Sequence, residues 1–200
     1  MYVIGLTGGV GSGKSYVAHR LSAMYDAELL IADELGHVVM KKGTKCHEKI
    51  VKSFGKDIIG GDGEIDRKKM ADIIFKDNEA RKRLDDIVHP EVIEYVARYI
   101  DERKGMDGII IFETAIMYEC KCDQLCDEVW YVYVPADIRI KRLSDNRGYS
   151  VEKSRAIIAN QKPDEFFTEK ADRIIKNDGS FEELDKELRE SFSIEQLSTI

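Results

Sequence analysis

The sequence predicts an α/β fold of three layers, with a five-stranded parallel sheet between two layers of helices. Short, continuously apolar runs alternate with segments of helical period, as expected of strands buried on both faces and joined by crossover helices. The first apolar run passes straight into a glycine-rich turn and then an amphipathic segment, a strand–turn–helix order. One interval, 34–104, is too long for a simple crossover and is expected to hold a helical insertion.

In chain order, the strands are expected at 2–6, 28–31, 108–112, 129–134 and 173–175. Val17, Leu21 and Met24 mark one face of the helix after the glycine-rich turn. Helical pieces in the insertion fall at 35–40, 47–54, 67–75 and 78–99, the last carrying an apolar stripe of Leu84, Ile87, Val88, Val92, Val96 and Tyr99. The cluster Gly60-Gly61-Asp62-Gly63 marks a tight turn between the second and third. His89-Pro90 is expected to interrupt the fourth, because the residue before proline is pushed out of helical geometry. Ile138, Leu143, Ile157 and Ile158 suggest later helices, and Phe181, Leu184, Leu188 and Phe192 suggest a terminal one. No repeat, low-complexity tract or flexible linker separates domains, so 1–200 is expected to be one folding unit. Its core is about 1–33, 105–138 and 171–200, the insertion about 34–104 and a lid about 139–170.

Composition bounds the function. With 43% hydrophobic and 34% charged residues and only 3 Pro in 200, the chain is folded and not disordered. Its 31 basic against 38 acidic residues, net −7, argue against unspecific attraction to nucleic acid or anionic membrane. No apolar span reaches the ~20 residues of a membrane helix and the first residues lack a signal-peptide pattern, so a cytoplasmic protein is expected. Cys120, Cys122 and Cys126 form C-x-C-x3-C, which lacks the paired C-x2-C knuckles of a zinc site; with Cys46 they read as reduced, incidental thiols.

The strongest chemical signal is Gly8-Gly9-Val10-Gly11-Ser12-Gly13-Lys14-Ser15, which fits G-x-x-x-x-G-K-[ST] between a strand and a helix. Such a phosphate-binding loop, or P-loop, wraps an anion with consecutive N–H groups and adds the positive end of the following helix. Gly9, Val10, Gly11, Ser12 and Gly13 would cradle the phosphates, Lys14 reach the β and γ groups, and Ser15 Oγ sit on Mg²⁺. Asp33 ends the second strand, where ligands of open parallel sheets bind. It either accepts a hydroxyl proton or holds a metal-bound water, or it caps a helix starting at Glu34. Glu113 follows Ile109-Ile110-Ile111-Phe112 in a Walker-B-like layout; it binds Mg²⁺ through water or orients a loop, and ranks below Asp33. Arg142 and Arg147 form either a basic lid that stabilises transferring phosphate or a solvated helix face. His89 stands at the proline boundary as a substrate contact or a local hydrogen-bonding residue.

Together with Ala32-Asp33, Phe54-Gly55, Asp62-Gly63, Asp66-Arg67, His89-Pro90, Gln161 and Asn177-Asp178-Gly179, the P-loop gives a sequence that resembles the dephospho-CoA kinase family from its first residues to about Gly179. The resemblance implies a P-loop kinase that uses ATP and Mg²⁺ to phosphorylate the ribose 3′-hydroxyl of 3′-dephospho-CoA. It further implies Asp33 as the base, the helical insertion as the acceptor site, and Asp33, His89, Glu113 and Gln161 as substrate-binding residues. Lys14, Arg142 and Arg147 would be catalytic, with Tyr16, Asn177 and Gly179 joining the P-loop in binding ATP. Four departures from the family pattern stand out: Ile31 replaces the first acid of D-A-D, Tyr16 replaces a Thr, Ala115-Ile116-Met117-Tyr118-Glu119 lacks the proline of P-L-L-F-E, and Phe166-Phe167 lies where a lysine is common. A P-loop nucleoside or nucleoside monophosphate kinase is the alternative, although no arginine pair is evident to grip an acceptor phosphate. A GTPase switch is disfavoured by the lack of N-K-x-D and of D-x-x-G after the third strand.

Overall fold

A computed structural model describes residues 1–192. In chain order come β1 (Tyr2–Gly8), α1 (Lys14–Tyr25), β2 (Glu28–Ile31), α2 (Ala32–Val39), α3 (Lys45–Phe54), α4 (Arg67–Lys76), α5 (Asn78–Asp101) and β3 (Ile109–Glu113). There follow β4 (Glu128–Tyr133), α6 (Ala136–Arg147), α7 (Val151–Ala159), α8 (Asp164–Thr168), β5 (Arg173–Lys176) and α9 (Phe181–Glu190). The described residues divide into two compact units: Met1–Ile31 with the described residues from Arg103 onward, and Ala32–Glu102, the interval where the insertion is expected. The physical reason is that the inserted helices bury an apolar core of their own.

The first unit holds the sheet, in the order β2-β3-β1-β4-β5, every pair parallel. Because all five strands run the same way, their carboxyl ends gather on one edge, where open α/β sheets bind ligands. Leu6 of β1 is in register with Glu113 of β3, which sets that acid beside the start of the loop after β1. Alternate residues face opposite sides of the sheet. Ile4, Leu6, Ile109, Ile111, Trp130, Val132 and Ile175 pack with Val17, Ala18 and Leu21 of α1 and Leu184 and Leu188 of α9. On the other face Phe167 of α8 stacks on Tyr131, with ring centroids 4.9 Å apart. Helix α9 starts with a reciprocal capping box between Ser180 and Glu183. Phe181, expected on its buried face, is exposed instead, because the helix starts with it and the first buried position is Leu184. The sequence-based terminal helix was extended to residue 200, and 193–200 lie outside the described residues. No helix among the described residues is long and apolar enough to cross a membrane.

The second unit is helical. Thr44, Asp66 and Asp77 cap α3, α4 and α5 by accepting hydrogen bonds from backbone N–H groups of the first turns. Between α3 and α4, Gly60 donates to Glu64 O and Gly63 donates to Gly60 O, closing the expected tight turn. Helix α5 packs against α2, α3 and α4 around Leu35, Val39, Ile50, Met70, Ala80, Val92 and Val96. It runs unbroken through Pro90, contrary to expectation. Interior proline costs about 3 kcal/mol in an isolated helix. Here packing along three neighbouring helices, with Val92 and Val96 buried just beyond the proline, outweighs that cost.

Candidate active site

The loop from Gly9 to Gly13 joins β1 to α1 at the carboxyl edge of the sheet. Ser12 N donates to Gly9 O at 3.1 Å, and Gly13, at φ 79°, turns the chain into the helix from the left-handed region that glycine tolerates best. A Cβ at Gly13 would also lie 2.6 Å from Asn177 Nδ2. That amide donates to Ser12 O at 2.8 Å, while Asn177 N donates to Tyr133 O, so the turn after β5 is tied to both the loop and β4. Arg142 adds a second tie, donating to Asn177 O at 2.8 Å and to Ser12 O at 3.4 Å.

Lys14 and Ser15 open α1 and meet the buried Glu113 at the end of β3. Ser15 Oγ donates to Glu113 Oε2 at 3.2 Å, and Lys14 Nζ lies 3.6 Å from Oε1. A buried carboxylate needs such partners, since an isolated one is strongly disfavoured. Glu113, ranked below Asp33 from sequence, thus stands against the first two residues of the helix that follows the glycine-rich loop. The Ser15 hydroxyl and the Glu113 carboxylate are hard oxygen donors side by side, which suits Mg²⁺. Among the described residues there is no cluster of three or more His, Cys, Asp or Glu arranged for a metal. Cys122 and Cys126 are thiols that burial pushes up to about 12.

A cavity of about 240 Å³ lies over the loop, lined by Gly9, Gly11, Gly13, Lys14, Ser15, Tyr16, Arg142, Leu143, Asn146 and Arg147. The structure therefore brings Lys14, Ser15, Tyr16, Arg142 and Arg147 together around one space. Tyr16 is partly exposed and rests on Phe181, with centroids 5.2 Å apart. Gly179 lies apart from this space and lines another cavity with Lys176, Asp178 and residues of α9.

Gln161, expected among the substrate-binding residues, is engaged with the loop. Its Oε1 accepts from Val10 N at 3.0 Å and from Arg139 Nη2 at 2.7 Å. Arg139 is the residue that sequence reading missed. It is buried, and its Nε donates to Val10 O at 2.9 Å. One signal pointed to it: Arg139 and Leu143 stand four apart, and both lie on the buried face of α6.

Asp33 and His89 belong to the second unit. Asp33 does not cap a helix starting at Glu34, because β2 passes directly into α2 at Ala32. Its exposed carboxylate lies in the first turn, where the helix dipole favours negative charge. His89 sits within α5 with Nε2 3.9 Å from Asp85 Oδ1.

The chain is similar to known proteins along nearly its whole length. The dephospho-CoA kinase family model (CoaE) matches residues 2–183. Dephospho-CoA kinase of Carboxydothermus hydrogenoformans is 37% identical over 182 residues, covering 90% of this chain and 87% of that one. Dephospho-CoA kinase of Geobacter sulfurreducens is 36% identical over 191 residues, covering 95% and 96%. A crystal structure from Thermus thermophilus superposes with a TM-score of 0.73 at 28% identity, covering 94% of this chain and 95% of the other. With the family match spanning nearly all of the described sheet and helices, the chain belongs to the dephospho-CoA kinase family.

Proposed function

We propose that the protein transfers the γ-phosphoryl group of ATP to the ribose 3′-hydroxyl of 3′-dephospho-CoA, giving coenzyme A and ADP. Family membership supports the substrate pair, and the observation that carries the chemistry is the convergence of Lys14, Ser15 and Glu113 at the mouth of the P-loop. The Lys14 ammonium, 3.6 Å from the Glu113 carboxylate, would be drawn toward bound polyphosphate. Backbone N–H groups of Gly11 to Ser15, aimed by the α1 terminus, hold the phosphate oxygens. Arg142 and Arg147 face the same cavity and supply positive charge to offset the negative charge on the oxygens of the transferring group. Ser15 Oγ and Glu113 would hold Mg²⁺, which when bound screens the charge of the β and γ phosphates.

Transfer forms a bond from the acceptor oxygen to γ-phosphorus and breaks the bond to the β,γ-bridging oxygen. The acceptor proton passes to Asp33, whose exposed carboxylate is the base in this reading. Residues 139–170 serve as a lid and the Ala32–Glu102 unit receives the acceptor. Most of the acceleration comes from positioning and charge neutralisation. The test is Lys14→Ala: steady-state turnover of Mg·ATP with dephospho-CoA is expected to fall by about 10³-fold or more with an unchanged circular-dichroism spectrum. Turnover close to wild type would refute the assignment of the loop.

A further inference from the structure

Val10, at the tip of the P-loop, has both of its backbone polar groups taken by side chains from elsewhere in the chain. Its carbonyl accepts from Arg139 Nε and its N–H donates to Gln161 Oε1, and Arg139 Nη2 donates to that same oxygen. Three hydrogen bonds of 2.9, 3.0 and 2.7 Å thus close a ring around one residue of the loop. The ring is anchored in the sheet. Arg139 Nη1 lies 3.4 Å from Asp164 Oδ1, which accepts from Tyr131 Oη at 2.5 Å. Burial, helped by Asp164, pushes the Tyr131 phenol above its ordinary range, so it stays a donor. Arg139 is only 3% exposed and lies so close to the loop that a Cβ on Gly9 would meet its guanidinium and one on Gly11 its backbone.

A glycine-rich loop left to itself samples many conformations, and ordering it on binding weakens affinity. A buried planar guanidinium that holds one carbonyl and one amide acceptor removes that freedom before nucleotide arrives. We propose that Arg139 is a positioning residue that holds the P-loop tip through Val10, with Gln161 as relay and the Asp164–Tyr131 pair as anchor. Arg139 comes from α6 and Gln161 from the turn after α7, so the order of the loop and the placement of the 139–170 segment are coupled through this ring. The role rests on the reading of the loop as an ATP-phosphate site.

The experiment compares the full-length wild type with Gln161→Leu, Gln161→Glu and Arg139→Lys. Amide exchange at Val10 is followed by NMR without ligand, and ATP and inorganic tripolyphosphate are titrated calorimetrically. Gln161→Leu is expected to speed Val10 exchange and to weaken ATP and tripolyphosphate in parallel, each by about tenfold, the equivalent of one hydrogen bond. Gln161→Glu keeps both acceptor contacts and is expected to restore slow exchange at Val10. Arg139→Lys, which cannot span Val10 O and Gln161 together, is expected to behave as Gln161→Leu. Folded Gln161→Leu with exchange and both affinities within about twofold of wild type overturns the positioning role alone. Wild-type chain that binds neither ATP nor tripolyphosphate overturns the kinase reading and the role that rests on it; the ligand-free exchange data tell the two failures apart.

Discussion

Replacing Gly9 by alanine sets one methyl group against the best-buried cation of the site. The new Cβ would lie 2.3, 2.5 and 2.8 Å from Arg139 Nη2, Cζ and Nη1. Ordinary van der Waals contact begins near 3.4 Å, so the guanidinium must retreat by about 1 Å. A retreat of that size stretches its 2.7 and 2.9 Å bonds to Gln161 and Val10 past the limit of hydrogen bonding. Hydrogen bonds to a charged group are worth about 1.5–3 kcal/mol each, and at 3% exposure water does not replace them. Allowing for partial readjustment of a flexible side chain, the expected destabilisation is ~2–4 kcal/mol. For a chain of this size that lowers the melting temperature by roughly 5–15 °C. Thermal unfolding followed by far-ultraviolet circular dichroism measures it. Gly61→Ala, which meets nothing within 4 Å, is the control, expected to stay within about 0.5 kcal/mol of wild type. A Gly9→Ala protein that melts with wild type and the control would refute the reasoning.

Two further outcomes follow from the site and its surroundings. Asp33→Asn is expected to lower kcat by about 10²–10⁴-fold while the ATP dissociation constant changes little, as removal of a general base should; collapse of ATP binding alone would make Asp33 a metal-site residue. At pH 8, with thiols pushed to about 12, Cys122 and Cys126 hold only about one thiolate in ten thousand. Both are expected to escape alkylation in the folded chain and react on unfolding, as read by peptide mass mapping; rapid labelling of the native protein would contradict the upward shift of these thiols.

How much of this was legible in the sequence depended on whether the signal was local. The five strands were, because each is a short apolar run between turn residues, and their bounds moved by at most two residues, most of all where β1 extends to Gly8. The P-loop was legible for the same reason: Gly8 to Ser15 carry their spacing in one stretch. Pro90 misled because the local rule against interior proline is weaker than the packing of α5 on three helices, which no single stretch reveals. Of the readings open for Asp33, the cap of a helix starting at Glu34 falls away because β2 runs straight into α2, which no local signal announced. Arg139 was hidden inside a basic run that reads as solvated surface. Its partners Val10, Gln161 and Asp164 lie 129, 22 and 25 residues away, so only the folded chain unites them. The pairing of Glu113 with Ser15 was out of reach likewise, since it joins residues 98 apart.

The measurement that bears most directly on the function is ADP release with Mg·ATP and a panel of acceptors: dephospho-CoA, AMP, CMP, dTMP, adenosine and pantothenate. Turnover with dephospho-CoA, and background rates with the other five, is the result expected of a kinase acting on the ribose 3′-hydroxyl of that acceptor. Turnover with a nucleoside or nucleoside monophosphate, and none with dephospho-CoA, would keep the P-loop chemistry and contradict the proposed acceptor.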